Sequence, residues 1–232
     1  MDLHGFGNLL FQGTLMTVAL ALCSLGGGLL LGLAGASAKL SPNPLARWLG
    51  GAYTTVVRGL PELLVVLVIY FGSAGALNAA ASLIGYDDYI ELGRFQAGVI
   101  ALSLTFGAYA TEVFRGAIQS IPKGQIEAAI AYGMTPIQCF LRITLPQVWR
   151  VALPGLGNLF LVLMKDTSLV SVIGLDELMR QASIATGFTK EPFTFYVAAA
   201  LIYLALTLIF GTAQGRLEKW AARGQPAAGT AS

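Results

Sequence analysis

The stretch Glu127-Ala128-Ala129, followed after three residues by Gly133 and after nine more by Ile143-Thr144-Leu145-Pro146, decides the fold of this chain. It lies in a polar gap between two long apolar segments. Residues 122–140 are mostly good helix formers, Pro122 is tolerated at a helix start, and Gly133 breaks the pattern. A loop between membrane spans has no packing reason to carry a helix of small residues that is ended by a proline. We therefore predict that the loop is a docking surface.

Small side chains suit such a surface. Ala128, Ala129 and Gly133 are small enough to let a partner approach closely, and Glu127 carries the only negative charge between residues 122 and 140. The alternative is an ordinary amphipathic loop helix with a solvated glutamate. The full pattern from Glu127 to Pro146, placed between two long apolar segments, favours the docking surface over that alternative.

Composition sets the class of protein. Hydrophobic residues make up 56% of the 232 residues and charged residues only 11%, and the mean hydropathy is +0.71. Soluble domains carry roughly a quarter charged residues, so this is an integral membrane protein. The net charge of +2 is too small to indicate a nucleic-acid partner. Cys23 and Cys139 lie in different environments and are expected to be separate thiols, and with His4 as the only histidine no metal site is expected.

Five charge-poor stretches are long enough to cross a bilayer, which requires about 20 apolar residues. We place these spans within residues 9–38 and at about 55–72, 95–117, 151–175 and 193–213. The predicted fold class is all-α, a polytopic membrane protein with about five transmembrane helices. We divide the chain into an N-terminal segment 1–8, a transmembrane domain 9–215 whose polar loop covers about 118–150, and a tail 216–232 that is partly disordered, chiefly over 224–232.

Basic residues concentrate on one side of these spans. That side holds Lys39, Arg47, Arg58, Arg115, Lys123, Arg142, Arg150, Arg216, Lys219 and Arg223. The opposite side has only Arg94, Arg180 and Lys190, beside Asp87, Asp88, Glu91, Asp176, Glu177 and Glu191. The positive-inside rule therefore places the polar loop and the C-terminus in the cytoplasm and the N-terminus outside.

Glycines in the first span predict a close helix contact. Gly28, Gly32 and Ala36 are spaced four apart on one helix face, and small residues at that spacing let membrane helices approach closely. A phosphate-binding loop is excluded because no lysine follows and the run lies inside a span. The chain is therefore not expected to bind ATP itself.

Charged residues inside the spans are costly, so they face a cavity, pair with each other or mark a substrate path. Glu112 and Arg115 lie three apart on one helix face, and internal pairing and a path role both stay open for them. Arg58 and Glu62 lie four apart around Pro61, and we favour an internal ion pair there.

Several further motifs accompany the loop. They are the segments 53–55, 58–64, 85–90, 107–109, 114–118, 122–125, 165–169 and 191–195. Together with the loop they resemble the permeases of bacterial ABC importers, in the polar amino acid uptake branch, over most of residues 9–215. The chain is most similar to the Q-type subunits of histidine or lysine/arginine/ornithine permeases, and opine permeases are close relatives.

This resemblance implies a permease subunit that moves polar, chiefly basic, amino acids or opines from periplasm to cytoplasm by alternating access in the bacterial inner membrane. The implied partners are an M-type permease subunit, two ATPase subunits, a periplasmic amino-acid-binding protein and membrane lipid. ATP and magnesium would bind the ATPases, so the chain itself would be neither an enzyme nor a cofactor carrier. The loop 118–150 would be the cytoplasmic coupling loop, in which Glu127, Ala128, Ala129 and Gly133 meet an ATPase.

An amino acid substrate requires a cation for its α-carboxylate and an acid for its amino group or basic side chain. Arg115 fits the first role through bidentate hydrogen bonding. Asp166 and Glu112 fit the second, with Thr167 and Ser168 as neutral donors. Because a helix rises about 1.5 Å per residue, Arg115 falls near the inner end of the third span, where a gate is its alternative role.

Two other classes of function compete with this interpretation. An intramembrane protease would need a histidine, or a second aspartate besides Asp166, within the spans. A secondary transporter or channel subunit would work without an ATPase, but five spans without an inverted repeat disfavour it. The identity of the carried amino acid and the pairing of permease subunits, homodimeric or heterodimeric, are both left open.

Overall fold

The structure, a computed structural model, describes residues 5–83 and 91–221. Three predictions concern residues outside these ranges. They are the argument from His4 against a metal site, the family resemblance of segment 85–90 together with the charges of Asp87 and Asp88, and the predicted disorder of residues 224–232. The described residues form helices α1 (Gly7–Leu40), α2 (Pro44–Gly59), α3 (Glu62–Leu83), α4 (Arg94–Gln119), α5 (Lys123–Ala131), α6 (Pro136–Cys139), α7 (Leu145–Asp166), α8 (Leu178–Thr189) and α9 (Pro192–Ala221).

Five of these helical stretches are long and apolar enough to span a membrane. They are Gly7–Leu40, Glu62–Ala79, Arg94–Gln119, Pro136–Ile173 and Pro192–Ala221. The fourth stretch joins α6 and α7 through a π-helix, Phe140–Thr144, and continues past α7 in a 3₁₀-helix, Thr167–Ile173. The prediction of an all-α chain with about five transmembrane helices is confirmed.

The predicted second span, 55–72, is wrong in its boundaries. The helix breaks at Leu60, whose ψ of 145° is extended, and a new helix starts at Glu62. Pro61 explains the break, because proline has no N–H to donate and its ring pushes the preceding residue out of the helical region. The amphipathic helix α2 was hidden inside the predicted loop and span.

The other span boundaries also move. The fourth spanning stretch begins before residue 151, and its main α-helix, α7, ends at Asp166. The fifth spanning stretch, α9, continues to Ala221, beyond the predicted end at residue 213. Helix α8 was not predicted at all, since its 12 residues are too few to span and carry only moderate hydropathy.

The centre of the molecule is the contact between α1 and α4, the most extensive one between any two helices. A Cβ added at Gly28 would lie 2.5 Å from the Phe106 ring, and one at Gly32 would lie 2.7 Å from the Ala110 side chain. Both glycines and Ala36 are buried. The predicted small-residue packing face is therefore confirmed, and α4 is its partner.

Glu177 holds the end of the molecule away from the coupling loop together. Its carboxylate caps α8 by accepting hydrogen bonds from the backbone N–H groups of Arg180 at 2.7 Å and Met179 at 2.9 Å. The hydroxyl of Tyr203 in α9 donates to the same carboxylate at 3.0 Å. Burial raises the pKa of Glu177, although these hydrogen bonds act in the opposite direction.

Candidate functional site

The coupling loop contains the predicted helix and the predicted break. Helix α5 ends where Gly133 adopts a φ of 77°, in the left-handed region that favours glycine. The N–H of Gly133 donates to the Ile130 carbonyl at 2.9 Å, and the N–H of Met134 donates to the Ala129 carbonyl at 3.1 Å. These two bonds form a Schellman cap. The backbone conformation itself therefore favours glycine at position 133.

The expectation that a proline ends this helix is wrong. Pro146 lies in the first turn of α7, which continues directly from the π-helix Phe140–Thr144. Between Gly133 and Pro146 the chain forms α6, started by a capping box of Thr135 and Gln138, and then the π-helix. A hydrogen bond of 2.6 Å from Gln147 to Gln125 ties α7 back to α5.

The four predicted coupling residues divide into two groups. Glu127, Ala128 and Gly133 are exposed, as a docking surface requires. Ala129 is only 5% exposed and lines a groove of about 510 Å³ between α5 and α7, so it packs within its own loop. Sequence reasoning missed the exposed apolar side chains of the same loop, of which Ile130, Tyr132 and Ile137 are the most exposed, at 58%, 89% and 71%.

The two charges predicted in the third span belong to a cluster of three. The Nε of Arg115 donates to Glu112 Oε2 at 2.9 Å, and the Nζ of Lys39 lies 2.5 Å from Glu112 Oε1. Arg115 also donates to Gln119 at 2.8 Å, and Lys39 to Thr54 at 3.0 Å. Of the two alternatives left open, internal pairing is therefore the one that this geometry favours.

Lys39 escaped sequence reasoning because it comes from the last turn of α1, 73 positions before Glu112. The sequence alone indicates only a basic residue of a cytoplasmic loop. The cluster joins α1 to α4 at the end of their contact, and both oxygens of the single carboxylate are engaged by cations. We call it the Lys39–Glu112–Arg115 cluster.

Asp166 lies in a different place, which we call the acid-lined cavity. This cavity has a volume of about 270 Å³ and is lined by Glu62, Thr105, Phe106, Tyr109, Leu159, Val162, Leu163 and Asp166. Both carboxylate-bearing residues are half-buried, and no lysine or arginine is among the lining residues. Glu62 was predicted to pair with Arg58, so its place beside Asp166 is new.

The two hydroxyl residues after Asp166 do not line this cavity. The Thr167 hydroxyl donates to the Met164 carbonyl, and the Ser168 hydroxyl donates to the Lys165 carbonyl, both at 2.7 Å. Each hydroxyl thus donates to a backbone carbonyl three residues earlier, where α7 tightens into the 3₁₀-helix. Of the predicted path residues, only Asp166 faces the acid-lined cavity.

A second cavity, which we call the cation-lined cavity, lies beside the cluster. It has a volume of about 410 Å³ and is lined by Lys39, Thr54, Thr55, Arg58, Gly59, Tyr109 and Glu112. The predicted ion pair between Arg58 and Glu62 is wrong, because the helix break at Pro61 sends the two side chains to different cavities. The Arg58 guanidinium instead lies over the Tyr109 ring, 5.1 Å from its centroid. Tyr109 lines both cavities.

Comparison with known proteins matches residues 28–223 to the binding-protein-dependent transport system inner membrane component family. An arginine ABC transporter permease protein of Haemophilus influenzae is 49% identical over 92% of this chain and 93% of its own length. A nopaline transport system permease protein of Agrobacterium fabrum is 48% identical over 95% and 94%. A histidine/lysine/arginine/ornithine permease of Salmonella typhimurium is 44% identical over 89% and 90%.

Solved structures agree in fold. A crystal structure described as an amino acid ABC transporter with histidines shares 33% identity and a TM-score of 0.79, covering 94% of this chain and 98% of the other. An inward-facing methionine ABC transporter matches with a TM-score of 0.76 at 19% identity, over 96% of this chain and 100% of the other. The second likeness, at that identity, concerns the fold alone.

Proposed function

The chain belongs to the binding-protein-dependent transport system inner membrane components and is a permease subunit of an amino acid ABC importer; we propose that its cargo is basic amino acids. The observation that carries this proposal is the acid-lined cavity. Glu62 and Asp166 share a small, half-buried space without a lining cation. Charge inside a membrane is costly, and a cationic side chain of a substrate would stabilise the two carboxylates that share this cavity.

The relatives support the same cargo. Two of them are named for arginine or for histidine, lysine, arginine and ornithine. Opines are the second candidate, because a relative at 48% identity is named for nopaline.

The partners and the mechanism complete the proposal. An M-type permease subunit would form the path together with this chain, and a periplasmic binding protein would deliver the amino acid. Two ATPase subunits would bind ATP and magnesium and receive the coupling helices. Closure of the ATPases would then shift the permease between two states, as alternating access requires. Exposed Ile130, Tyr132 and Ile137 support a protein contact at the coupling loop.

The proposed orientation places the coupling loop in the cytoplasm and the N-terminus in the periplasm. Single cysteines at Lys123 and Lys190, both exposed, test it in a variant without Cys23 and Cys139. A membrane-impermeant thiol reagent should label position 190 in intact spheroplasts, and position 123 only after permeabilisation. The reverse pattern would overturn the orientation.

Reconstitution tests the transport proposal as a whole. The chain is expected to copurify with a second permease subunit and an ATPase. In proteoliposomes, uptake of radiolabelled arginine should require both the binding protein and enclosed ATP with magnesium. Uptake driven by an ion gradient without ATP, or uptake of neutral and basic amino acids at equal rates, would contradict the proposal.

Gly133 tests the coupling role. Because nothing lies within 4 Å of a Cβ at this position, Gly133→Ala adds no clash and strains only the left-handed backbone. Gly133→Asn is the matched control, since asparagine tolerates that conformation. We expect Gly133→Arg to abolish uptake at a normal membrane level, Gly133→Ala to reduce it, and Gly133→Asn to keep most of it. Equal uptake by all three variants would show that this turn does not contact the ATPase.

A further inference from the structure

We propose that the cation-lined cavity is the subsite for the α-carboxylate of the substrate, with Arg58 as its cation. This inference rests on the proposed function. It assigns the two ends of one basic amino acid to two neighbouring cavities, with Tyr109 as their shared wall. Arg58 then replaces Arg115, which the sequence predicts as the cation for the α-carboxylate.

The charge of Arg58 is available, whereas that of Arg115 is already engaged. Arg115 donates to Glu112 and to Gln119. Within residues 5–83 and 91–221, Arg58 forms no ion pair with a carboxylate, and its guanidinium rests on the Tyr109 ring. A ring face holds a guanidinium in place but leaves its N–H groups free at the edge. Those groups form the planar fork that binds a carboxylate through two hydrogen bonds.

The remaining wall of the cavity favours an anion as well. Glu112 is the one acid in the wall, and the two cations that pair with it, Lys39 and Arg115, leave the cluster with one net positive charge. Thr55 lies beside Arg58 in the wall and carries a hydroxyl that can donate a hydrogen bond. A carboxylate would therefore meet an excess of positive charge and at least one neutral donor.

The two cavities lie in the right order for one molecule. One face of α4 carries Thr105, Tyr109 and Glu112 in this order. Thr105 lines the acid-lined cavity, Tyr109 lines both cavities, and Glu112 lines the cation-lined cavity. Seven residues of helix correspond to about 10 Å along the axis. An extended arginine or lysine separates its α-carboxylate from its cationic end by a comparable length. The helix break at Pro61 produces the same division on the opposite wall, where Arg58 faces one cavity and Glu62 the other.

The test compares arginine with agmatine, which is arginine without its α-carboxylate. Equilibrium binding of both is measured on the purified permease–ATPase complex in lipid nanodiscs, without binding protein, so that only the membrane site is read. Wild type is expected to prefer arginine by roughly 10- to 100-fold, the effect of one charge-assisted bidentate contact. Arg58→Gln should weaken arginine binding by that factor and leave agmatine binding unchanged.

Two further variants make the outcome specific. Arg58→Lys keeps the charge but loses the fork, and it should give an intermediate preference. Arg115→Gln is the matched control, and it should keep the wild-type preference for arginine over agmatine. An Arg58→Gln complex that keeps the preference, or weakens both ligands equally, would overturn the inference, as would a loss of preference in Arg115→Gln. If wild type binds neither ligand, the proposed function fails first and the carboxylate subsite with it.

Discussion

Two sets of charges lie close together inside this molecule, and they are arranged in opposite ways. In the Lys39–Glu112–Arg115 cluster, one carboxylate is held between two cations at 2.5 and 2.8 Å. In the acid-lined cavity, Glu62 and Asp166 share one space with hydroxyl and apolar side chains and without a lining cation. One helix, α4, contributes to both places through Glu112 and Tyr109.

The difference separates a structural role from a functional one. A compensated carboxylate joins helices, and removing it leaves its partners uncompensated. Two carboxylates that share one cavity without a cation in its lining repel each other, so their proximity does not stabilise the fold. Their presence is explained by a cation that enters and leaves. The contrast therefore predicts which variants lose affinity and which lose stability.

The largest effect is expected in the acid-lined cavity. Asp166→Asn and Glu62→Gln each remove a charge that would bind the cationic end of the substrate while keeping the shape of the side chain. Loss of a charge-assisted hydrogen bond costs about 1.5–3 kcal/mol, so arginine should bind roughly 10- to 100-fold more weakly. The amount of assembled complex should stay at the wild-type level. Unchanged affinity in both variants would move the site to the partner chain.

The cluster should respond in the opposite way. Glu112→Gln leaves Lys39 and Arg115 facing each other without a carboxylate, which should destabilise the permease by about 1–3 kcal/mol. We expect a lower thermal midpoint of the purified complex and less protein in the membrane. Arginine affinity should not fall, because Glu112 is the one acid in the wall of the cation-lined cavity. The double variant Lys39→Met, Glu112→Gln should lose less than the sum of its single variants, since it removes one of the two stranded cations. Strict additivity would show that the two residues do not interact.

Tyr109 should give the smallest effect. Tyr109→Phe keeps the ring that supports Arg58 and removes only a hydroxyl, for which the described residues provide no hydrogen-bond partner. Arginine affinity should change by less than about threefold. Tyr109→Leu removes the aromatic face and should weaken binding further. A large loss in Tyr109→Phe would mean that the hydroxyl itself binds substrate.

Sequence reasoning predicted the parts of this molecule that depend on local pattern. Span number follows from hydropathy, and the small-residue packing face of α1 follows from the spacing of Gly28 and Gly32, although its partner helix does not. The turn at Gly133 follows from the residue type that most readily adopts its positive φ. Each of these features is specified by neighbours within a few positions of the chain.

The features that were missed depend on long-range contacts. Lys39 reaches Glu112 from another helix, and nothing in the spacing of either residue indicates that pairing. Arg58 and Glu62 have the spacing of a helical ion pair, but Pro61 separates them into two helices. Glu62 meets Asp166 only because α3, α4 and the end of α7 come together. The acid-lined cavity therefore could not be derived from the sequence.

Recognition of a positive charge by the acid-lined cavity is the central claim, and one comparison tests it most directly. Arginine and citrulline have nearly the same shape, but only arginine carries a charged side chain. Their equilibrium binding to the purified complex in nanodiscs, without binding protein, should differ by about 100-fold or more in favour of arginine, since two carboxylates contribute. In the double variant Glu62→Gln, Asp166→Asn the ratio should fall towards one. Equal binding of the two ligands by wild type, or an unchanged ratio in the double variant, would contradict the account.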